Sequence, residues 1–119
     1  MRAFLPAPLA EGTIETLVAA AQSAPTSSNI QAWSVVAVED PARRARLSLI
    51  AGDQRHIVEA PLLLVWVADL ARASAVAAER GLVLEAAGYT ESFLLATIDA
   101  ALAGQNAVVA AESLGLGTV

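Results

Sequence analysis

Residues 24–33 contain the side chains of this chain that are best suited to holding a ligand. The segment reads Ala-Pro-Thr-Ser-Ser-Asn-Ile-Gln-Ala-Trp, so four small polar residues follow a proline and an indole closes the run. Its hydroxyls, amides and backbone N–H groups suit a ligand that has polar edges and a flat ring. An ordinary loop has a similar composition, because serine and asparagine also bond to nearby backbone groups. Both interpretations remain open at this point.

The composition of the chain excludes several other kinds of site. Its 119 residues include no cysteine and one histidine, there is no lysine, and the formal net charge is −5. A thiolate site, a lysine Schiff base, a P-loop lysine and a multi-histidine metal site are therefore all excluded. The acidic balance argues against a nucleic-acid surface. We predict no metal site and no catalytic acid, base or nucleophile.

The elements that must position residues 24–33 follow from hydrophobic spacing and from capping residues. Thr13, Asp40, Asp69 and Thr90 are the predicted N-caps, and Pro41 occupies a first helical position. Residues 62–68 are continuously apolar and predict a central strand buried on both faces. Helices are predicted at about 14–23, 41–51, 53–59 (one short turn), 70–81 and 90–114, and strands at 34–39 and 62–68.

The last predicted helix is apolar all round and should therefore be buried all round. At about 1.5 Å per residue it would be roughly 36 Å long, too long for two strands and a few small helices to cover. The chain is also 56% hydrophobic, more than a short soluble domain needs. We therefore expect this helix at a subunit interface; a core helix of a larger domain is the alternative.

No membrane-spanning segment is predicted. The longest uncharged run, residues 17–38, contains many polar side chains that would be unsatisfied in lipid. Pro6 lies where the apolar core of a secretory signal should run, so we expect a cytoplasmic protein.

Four segments, taken in order along the chain, resemble the FMN-dependent nitroreductase family, and its oxygen-insensitive nitroreductase and NADPH-dependent flavin reductase branch in particular. The segments are residues 24–33, 52–57, 68–72, and 103–106 leading to 110–117. The resemblance implies an α+β, nitroreductase-like fold with helices around a small mixed sheet. It also implies an intertwined homodimer with FMN at the subunit interface.

The resemblance further implies an FMN-dependent oxidoreductase, in which NADPH or NADH reduces FMN and a small-molecule acceptor then takes two electrons. The acceptors of the family include nitroaromatics, quinones and free flavins. The cofactor carries this chemistry, which explains why no acid–base constellation is present. Within the basic cluster Arg43, Arg44 and Arg46 we predict a solvated helix face, with docking of the NADPH phosphate as the alternative.

The resemblance assigns cofactor contacts to particular residues. Arg2 matches the last arginine of an N-terminal motif that grips the flavin phosphate, and Gln54 matches a glutamine that bonds the pyrimidine side of the ring. A solvated terminal arginine and a surface glutamine are the alternatives. The predicted cofactor-binding residues are Arg2, Pro25, Thr26, Ser27, Asn29 and Gln54.

The resemblance also bears on the extent of the domain. Residues 1–119 match the N-terminal part of the family pattern, without the residues that precede Arg2 in that motif and without the glycine-rich segment after the last helix. We therefore expect a single partial nitroreductase-like domain, truncated at its C-terminus and lacking a few N-terminal residues. A non-catalytic flavin-binding or dimerisation fragment, and an interaction module without a cofactor, are the alternative functions.

Overall fold

The computed structural model describes residues 2–119, and they form five helices around a two-stranded sheet. The predicted α+β class is confirmed, and every predicted element is present with boundaries within two residues of those expected. Short 3₁₀ turns occupy Ser27–Asn29 and Glu85–Gly88. The elements are α1 (Thr13–Gln22), β1 (Trp33–Val38), α2 (Pro41–Ile50), α3 (Arg55–Glu59), β2 (Leu63–Ala68), α4 (Leu70–Glu79) and α5 (Thr90–Ser113).

The sheet is antiparallel, with Trp33 opposite Ala68 and Val38 opposite Leu63. Among residues 2–119 no third strand joins it, whereas the sequence predicted a small mixed sheet. The expectation that β2 is buried on both faces was wrong, because its residues are half-buried and Val67 is 41% exposed. With a single neighbour, β2 keeps one unpaired edge, and only part of the sheet is covered by a helix.

The core lies where α5 packs against α1 and the sheet, and it is built largely from alanine. Ala21 and Ala103 are fully buried, and their small side chains let the two helices approach closely. Trp33 is buried beside this contact, and its ring centroid lies 5.5 Å from that of Trp66 at a 51° tilt. This tilted arrangement is typical of favourable aromatic pairs. Trp66 is half-buried and packs against the core.

Helix α5 is buried on one side only, so the expectation of burial all round does not hold within one chain. Its inward side carries Ala100, Ala103 and Ala107, together with Asp99, which is 2% exposed. The opposite side carries large apolar residues that are 39% to 57% exposed. We call these residues the apolar face of α5: Leu94, Ile98, Leu102 and Val109. Phe93 is 59% exposed as well, but it lies in the first turn on the same side as Ala100. By length and composition alone, α5 could also cross a membrane.

The helix starts follow the predicted capping chemistry in two of four cases. The side chain of Asp40 accepts a hydrogen bond from Arg43 N–H at 2.7 Å, and that of Asp69 accepts one from Arg72 N–H at 2.9 Å. Thr13 and Thr90 are instead the first residues of their helices, after Gly12 and Tyr89. Neither of those two caps is made by a side chain.

Arg44 contradicts the prediction of a solvated basic face on α2. Its side chain is 8% exposed, and its Nε and Nη1 atoms have no hydrogen-bond partner among residues 2–119. Arg44 lies one helical turn before Ser48, which is 2% exposed, so both residues occupy the buried side of α2. Arg43 and Arg46 are exposed, as predicted.

Candidate functional site

The loop between α1 and β1, residues 25–32, holds an unusual backbone conformation. Ser28, Asn29 and Gln31 have left-handed φ angles of 50°, 54° and 51°. Each such conformation at a residue other than glycine costs free energy, on the order of 1 kcal/mol or more. Strain of this kind persists only where surrounding contacts impose it, and it is concentrated at functional sites. The 25–32 loop is therefore a strong candidate for a ligand site.

Contacts from α5 and from within the loop account for its shape. Asp99 on α5 accepts a hydrogen bond from Ser27 N–H at 3.1 Å and a longer one from Ala32 N–H at 3.4 Å. Thr26 Oγ1 accepts one from Gln31 N–H at 3.3 Å. The buried carboxylate of Asp99 therefore bonds the backbone near both ends of the loop.

A second set of contacts reaches the loop from the start of α4. Arg72 donates through Nη2 to the carbonyl oxygens of Gln31 at 2.5 Å and Trp33 at 2.9 Å. Asp69 N–H donates to the Ala32 carbonyl at 2.8 Å, and the Asp69 carboxylate accepts from Ser34 Oγ at 2.5 Å. The bond from Ser34, helped by the Arg72 N–H, lowers the pKa of Asp69 below its ordinary value of 3.8.

Sequence reasoning missed the role of Arg72 in the loop and did not single out Asp99 as its anchor. In the structure Asp99 bonds to the loop through both of its carboxylate oxygens. The carboxylate on an apolar helix and the Asp69-x-x-Arg72 spacing after a strand were the available signals. Neither signal predicts which residues are bonded, because Asp99 and Ser27 lie 72 positions apart in sequence and Arg72 and Gln31 lie 41 positions apart.

The groups that remain available define what the loop can bind. Among residues 2–119, no acceptor is assigned to the N–H groups of Thr26 and Ser28 or to the hydroxyls of Ser27 and Ser28. Asn29 Oδ1 accepts a bond from the exposed amide of Gln31 at 3.2 Å. The loop therefore presents neutral donors and hydroxyls at its surface, while the carboxylate that accepts its Ser27 and Ala32 N–H groups is buried. Such a set suits the oxygen and nitrogen atoms of a neutral polar ring edge or of sugar-like hydroxyls.

Gln54 belongs to a separate segment, the connection between α2 and α3. Gly52 and Asp53 have left-handed φ angles of 83° and 59°, and Ser48 holds the turn. The Ser48 carbonyl accepts from Asp53 N–H at 2.8 Å and Gln54 N–H at 3.3 Å, while Ser48 Oγ donates to the Gln54 carbonyl at 2.9 Å. The Gln54 side chain is half-buried and has no hydrogen bond to another of the described residues.

The predicted site residues are thus only partly brought together. Pro25, Thr26, Ser27 and Asn29 share the loop, but within residues 2–119 no hydrogen bond joins Gln54 or Arg2 to it. Arg2 is exposed in the N-terminal segment before α1.

A separate open groove of about 980 Å³ lies between the N-terminal segment, β2 and the C-terminal part of α5. Its lining is mostly apolar, with Thr13, His56, Gln105 and Thr118 among the polar residues. None of the predicted cofactor-binding residues lines it. The groove is therefore distinct from the 25–32 loop.

Comparison with known proteins identifies the family. The model of the nitroreductase family matches residues 1–119, which is the whole chain. The chain belongs to the nitroreductase family. This confirms the resemblance inferred from the four ordered sequence segments.

Nitroreductase relatives agree with this chain in sequence and in fold. An FMN reductase (NADPH) of Bacillus subtilis is 43% identical over 98% of the chain and 47% of its own length. An oxygen-insensitive NADPH nitroreductase of Salmonella typhimurium is 37% identical over 100% of the chain and 48% of its own length. The chain therefore spans about half the length of the curated relatives it matches.

Solved structures give the same family and confirm the nitroreductase-like fold. The NfrA1 nitroreductase from B. subtilis superposes with a TM-score of 0.92 at 43% identity, over 98% of this chain and 48% of that one. A Vibrio harveyi NADPH:FMN oxidoreductase, solved in complex with NAD⁺, has a TM-score of 0.89 at 32% identity, over 100% of this chain and 50% of that one.

Proposed function

We propose that this nitroreductase-family chain forms part of an FMN-dependent oxidoreductase that transfers two electrons from NADPH or NADH to nitroaromatics, quinones or free flavin. Its relatives include proteins named FMN reductase (NADPH) and oxygen-insensitive NADPH nitroreductase. The observation that carries the proposal on this chain is the strained, anchored 25–32 loop with unpaired donors at its surface. The proposed compartment is the cytoplasm, in keeping with the absence of cysteine.

The donor set of the chain fits FMN in chemical type. Thr26, Ser27, Ser28 and Asn29 offer N–H and hydroxyl groups that suit a polar ring edge or ribityl hydroxyls. The Gln54 amide both donates and accepts, as the alternating edge of a uracil-like ring requires. Arg2 is an exposed guanidinium, the group best suited to a phosphate. Bound FMN supplies the two-electron chemistry, while these residues bind and orient it.

We also propose a homodimer formed through the apolar face of α5. An exposed stripe of Leu94, Ile98, Leu102 and Val109 on one helix is typical of an interaction surface. A shared cofactor site would also account for the separation of Gln54 from the 25–32 loop within one chain, because two copies can supply different walls of one site.

The dimer proposal predicts that Ile98→Glu shifts the protein from dimer to monomer in sedimentation experiments. Ile98 is 54% exposed, so its replacement leaves the fold of one chain intact but places a charge in the interface. Val76→Glu, at a 44% exposed position on α4, is the control and should stay dimeric. A wild-type chain that sediments as a monomer at all concentrations contradicts the proposal.

The alternative is a partial nitroreductase-like domain that binds flavin or dimerises without catalysis. The observation favouring it is that the chain spans about half the length of its relatives. Arg2 is also the only residue predicted to bind the phosphate of FMN. Titration of the purified chain with FMN, followed by NADPH and a quinone, separates the cases. Turnover supports the proposed function, binding without turnover favours the alternative, and a dimer that takes up no flavin contradicts both cofactor roles.

The loop can be tested within the same titration by Ser27→Ala. The Ser27 hydroxyl has no partner among the described residues, so its removal should change the free energy of unfolding by less than about 0.5 kcal/mol. The loss of one hydrogen bond to FMN should raise the FMN Kd about tenfold. Ser74→Ala on α4 is the matched control and should leave the Kd unchanged. An unchanged FMN Kd in Ser27→Ala would remove Ser27 from the site.

A further inference from the structure

Asp99 is an ionisable side chain that the proposed chemistry does not use. It lies in the middle of α5 and is 2% exposed, and no salt bridge to it exists within residues 2–119. A buried carboxylate without a cationic partner is costly unless hydrogen bonds satisfy its oxygens. Here the two oxygens have separate partners: Oδ1 accepts from Ser27 N–H and Oδ2 accepts from Ala32 N–H.

These two bonds span the strained part of the loop. Ser28, Asn29 and Gln31, the three left-handed residues, all lie between Ser27 and Ala32. Because the carboxylate fixes the backbone on both sides of them, it opposes the relaxation of the loop to ordinary φ angles. Asp99 accepts from the N–H groups of Ser27 and Ala32, and loop oxygens accept from those of Asn29, Ile30 and Gln31. Within residues 26–32 of the described structure, the N–H groups of Thr26 and Ser28 are therefore the ones without an acceptor.

We propose that Asp99 is the positioning residue of the cofactor loop: its carboxylate, through two acceptor oxygens, holds residues 27–32 in the shape that presents the free donors to FMN. This inference rests on the proposed function for the ligand, but the positioning itself is a property of the chain alone. Asp99 contacts only backbone atoms of the loop among its hydrogen-bond partners, so it acts through the loop and not on the cofactor.

The discriminating variant is Asp99→Asn, which keeps the size of the side chain but replaces one acceptor oxygen by an NH₂ donor. One of the two loop N–H groups then faces a donor and loses its acceptor. Glu91→Gln is the matched control, because Glu91 is an exposed carboxylate in the first turn of the same helix.

Amide hydrogen exchange, without flavin, measures the positioning directly. We expect exchange at Ser27 or Ala32 to accelerate about tenfold or more in Asp99→Asn. Exchange in β1 and in the Glu91→Gln control should stay unchanged. If Asp99→Asn does not fold, wild-type exchange still decides: Ser27 N–H should exchange at least about tenfold more slowly than Ser28 N–H, which lacks an acceptor. Equal rates at Ser27 and Ser28, or an unaltered loop in folded Asp99→Asn, overturn the proposal.

The spectrum of bound FMN separates positioning from a general loss of stability. At saturating FMN, wild type and Glu91→Gln should show the same displaced flavin absorption band, whereas Asp99→Asn should retain less than half of that displacement. A stability defect alone would weaken binding but leave the spectrum of the saturated protein unchanged. If wild type binds no FMN, the proposed function fails while the exchange result still tests the anchor. An unchanged spectrum with a loosened loop overturns the role of Asp99 toward the cofactor.

Discussion

Replacement of Trp33 by alanine is expected to lower the free energy of unfolding by about 3–5 kcal/mol. Trp33 is 7% exposed, it packs beside Ala21 and Ala103, and its ring lies 5.5 Å from that of Trp66. The substitution removes the largest side chain of an otherwise alanine-rich core, and neighbouring alanines cannot extend to fill the cavity. Small domains have total free energies of unfolding of about 5–15 kcal/mol, so this substitution would remove a large part of the stability of the fold.

Urea unfolding followed by circular dichroism measures this loss without relying on tryptophan fluorescence. Tyr89→Ala is the matched control: Tyr89 is 64% exposed, and its replacement should cost less than about 1 kcal/mol. A loss below about 1 kcal/mol for Trp33→Ala would show that the indole is not the centre of the core. Since Trp33 also follows the 25–32 loop directly, the variant should loosen the loop at the same time.

Gly104→Leu is the second substitution with a large expected effect, a loss of about 2 kcal/mol. A Cβ added at Gly104 would lie 3.4 Å from both Cδ1 and Nε1 of Trp66. That distance is tight but tolerable for a single methyl group, whereas the outer atoms of leucine must displace the indole. The gain in helix propensity over glycine, up to about 1 kcal/mol, offsets part of this overpacking cost.

A graded series distinguishes packing from helix propensity. Gly104→Ala should change the free energy of unfolding by less than about 1 kcal/mol, since the better propensity opposes the close contact. Ala78→Leu, at an exposed position of α4, should be close to neutral. If urea unfolding shows that Gly104→Leu is as stable as Gly104→Ala, then the Trp66 indole does not restrict the size of the side chain at position 104, and the prediction is wrong.

Local features of the fold were predictable because they depend on neighbouring residues. Asp40 followed by Pro41 predicted the start of α2, since a capping carboxylate and a proline at the first helical position act within one helical turn. The four ordered motifs indicated the family, because a family's sequence motifs can be recognised without knowing which residues are in contact. The cofactor roles of Arg2, Pro25, Thr26, Ser27, Asn29 and Gln54 remain predictions.

Features that depend on burial were less predictable. Arg44 was expected in solvent with Arg43 and Arg46, but it lies on the buried side of α2, which packs against α3. Residues 62–68 were expected to be buried on both faces, because an apolar run does not reveal how many strands and helices are present to cover it. Helix α5 is apolar all round, yet only its alanine side is covered within one chain.

The sequence by itself determined the α+β class, the places of the helices and strands, the polar loop after Pro25 and the membership of the nitroreductase family. The tertiary structure decided what makes that loop a site. Asp99 and Arg72 reach it from 72 and 41 residues away, and together they hold three left-handed residues in place. The physical reason is that spacing and capping act over a few residues, whereas a buried carboxylate finds its N–H partners only after α5 has packed against the rest of the chain.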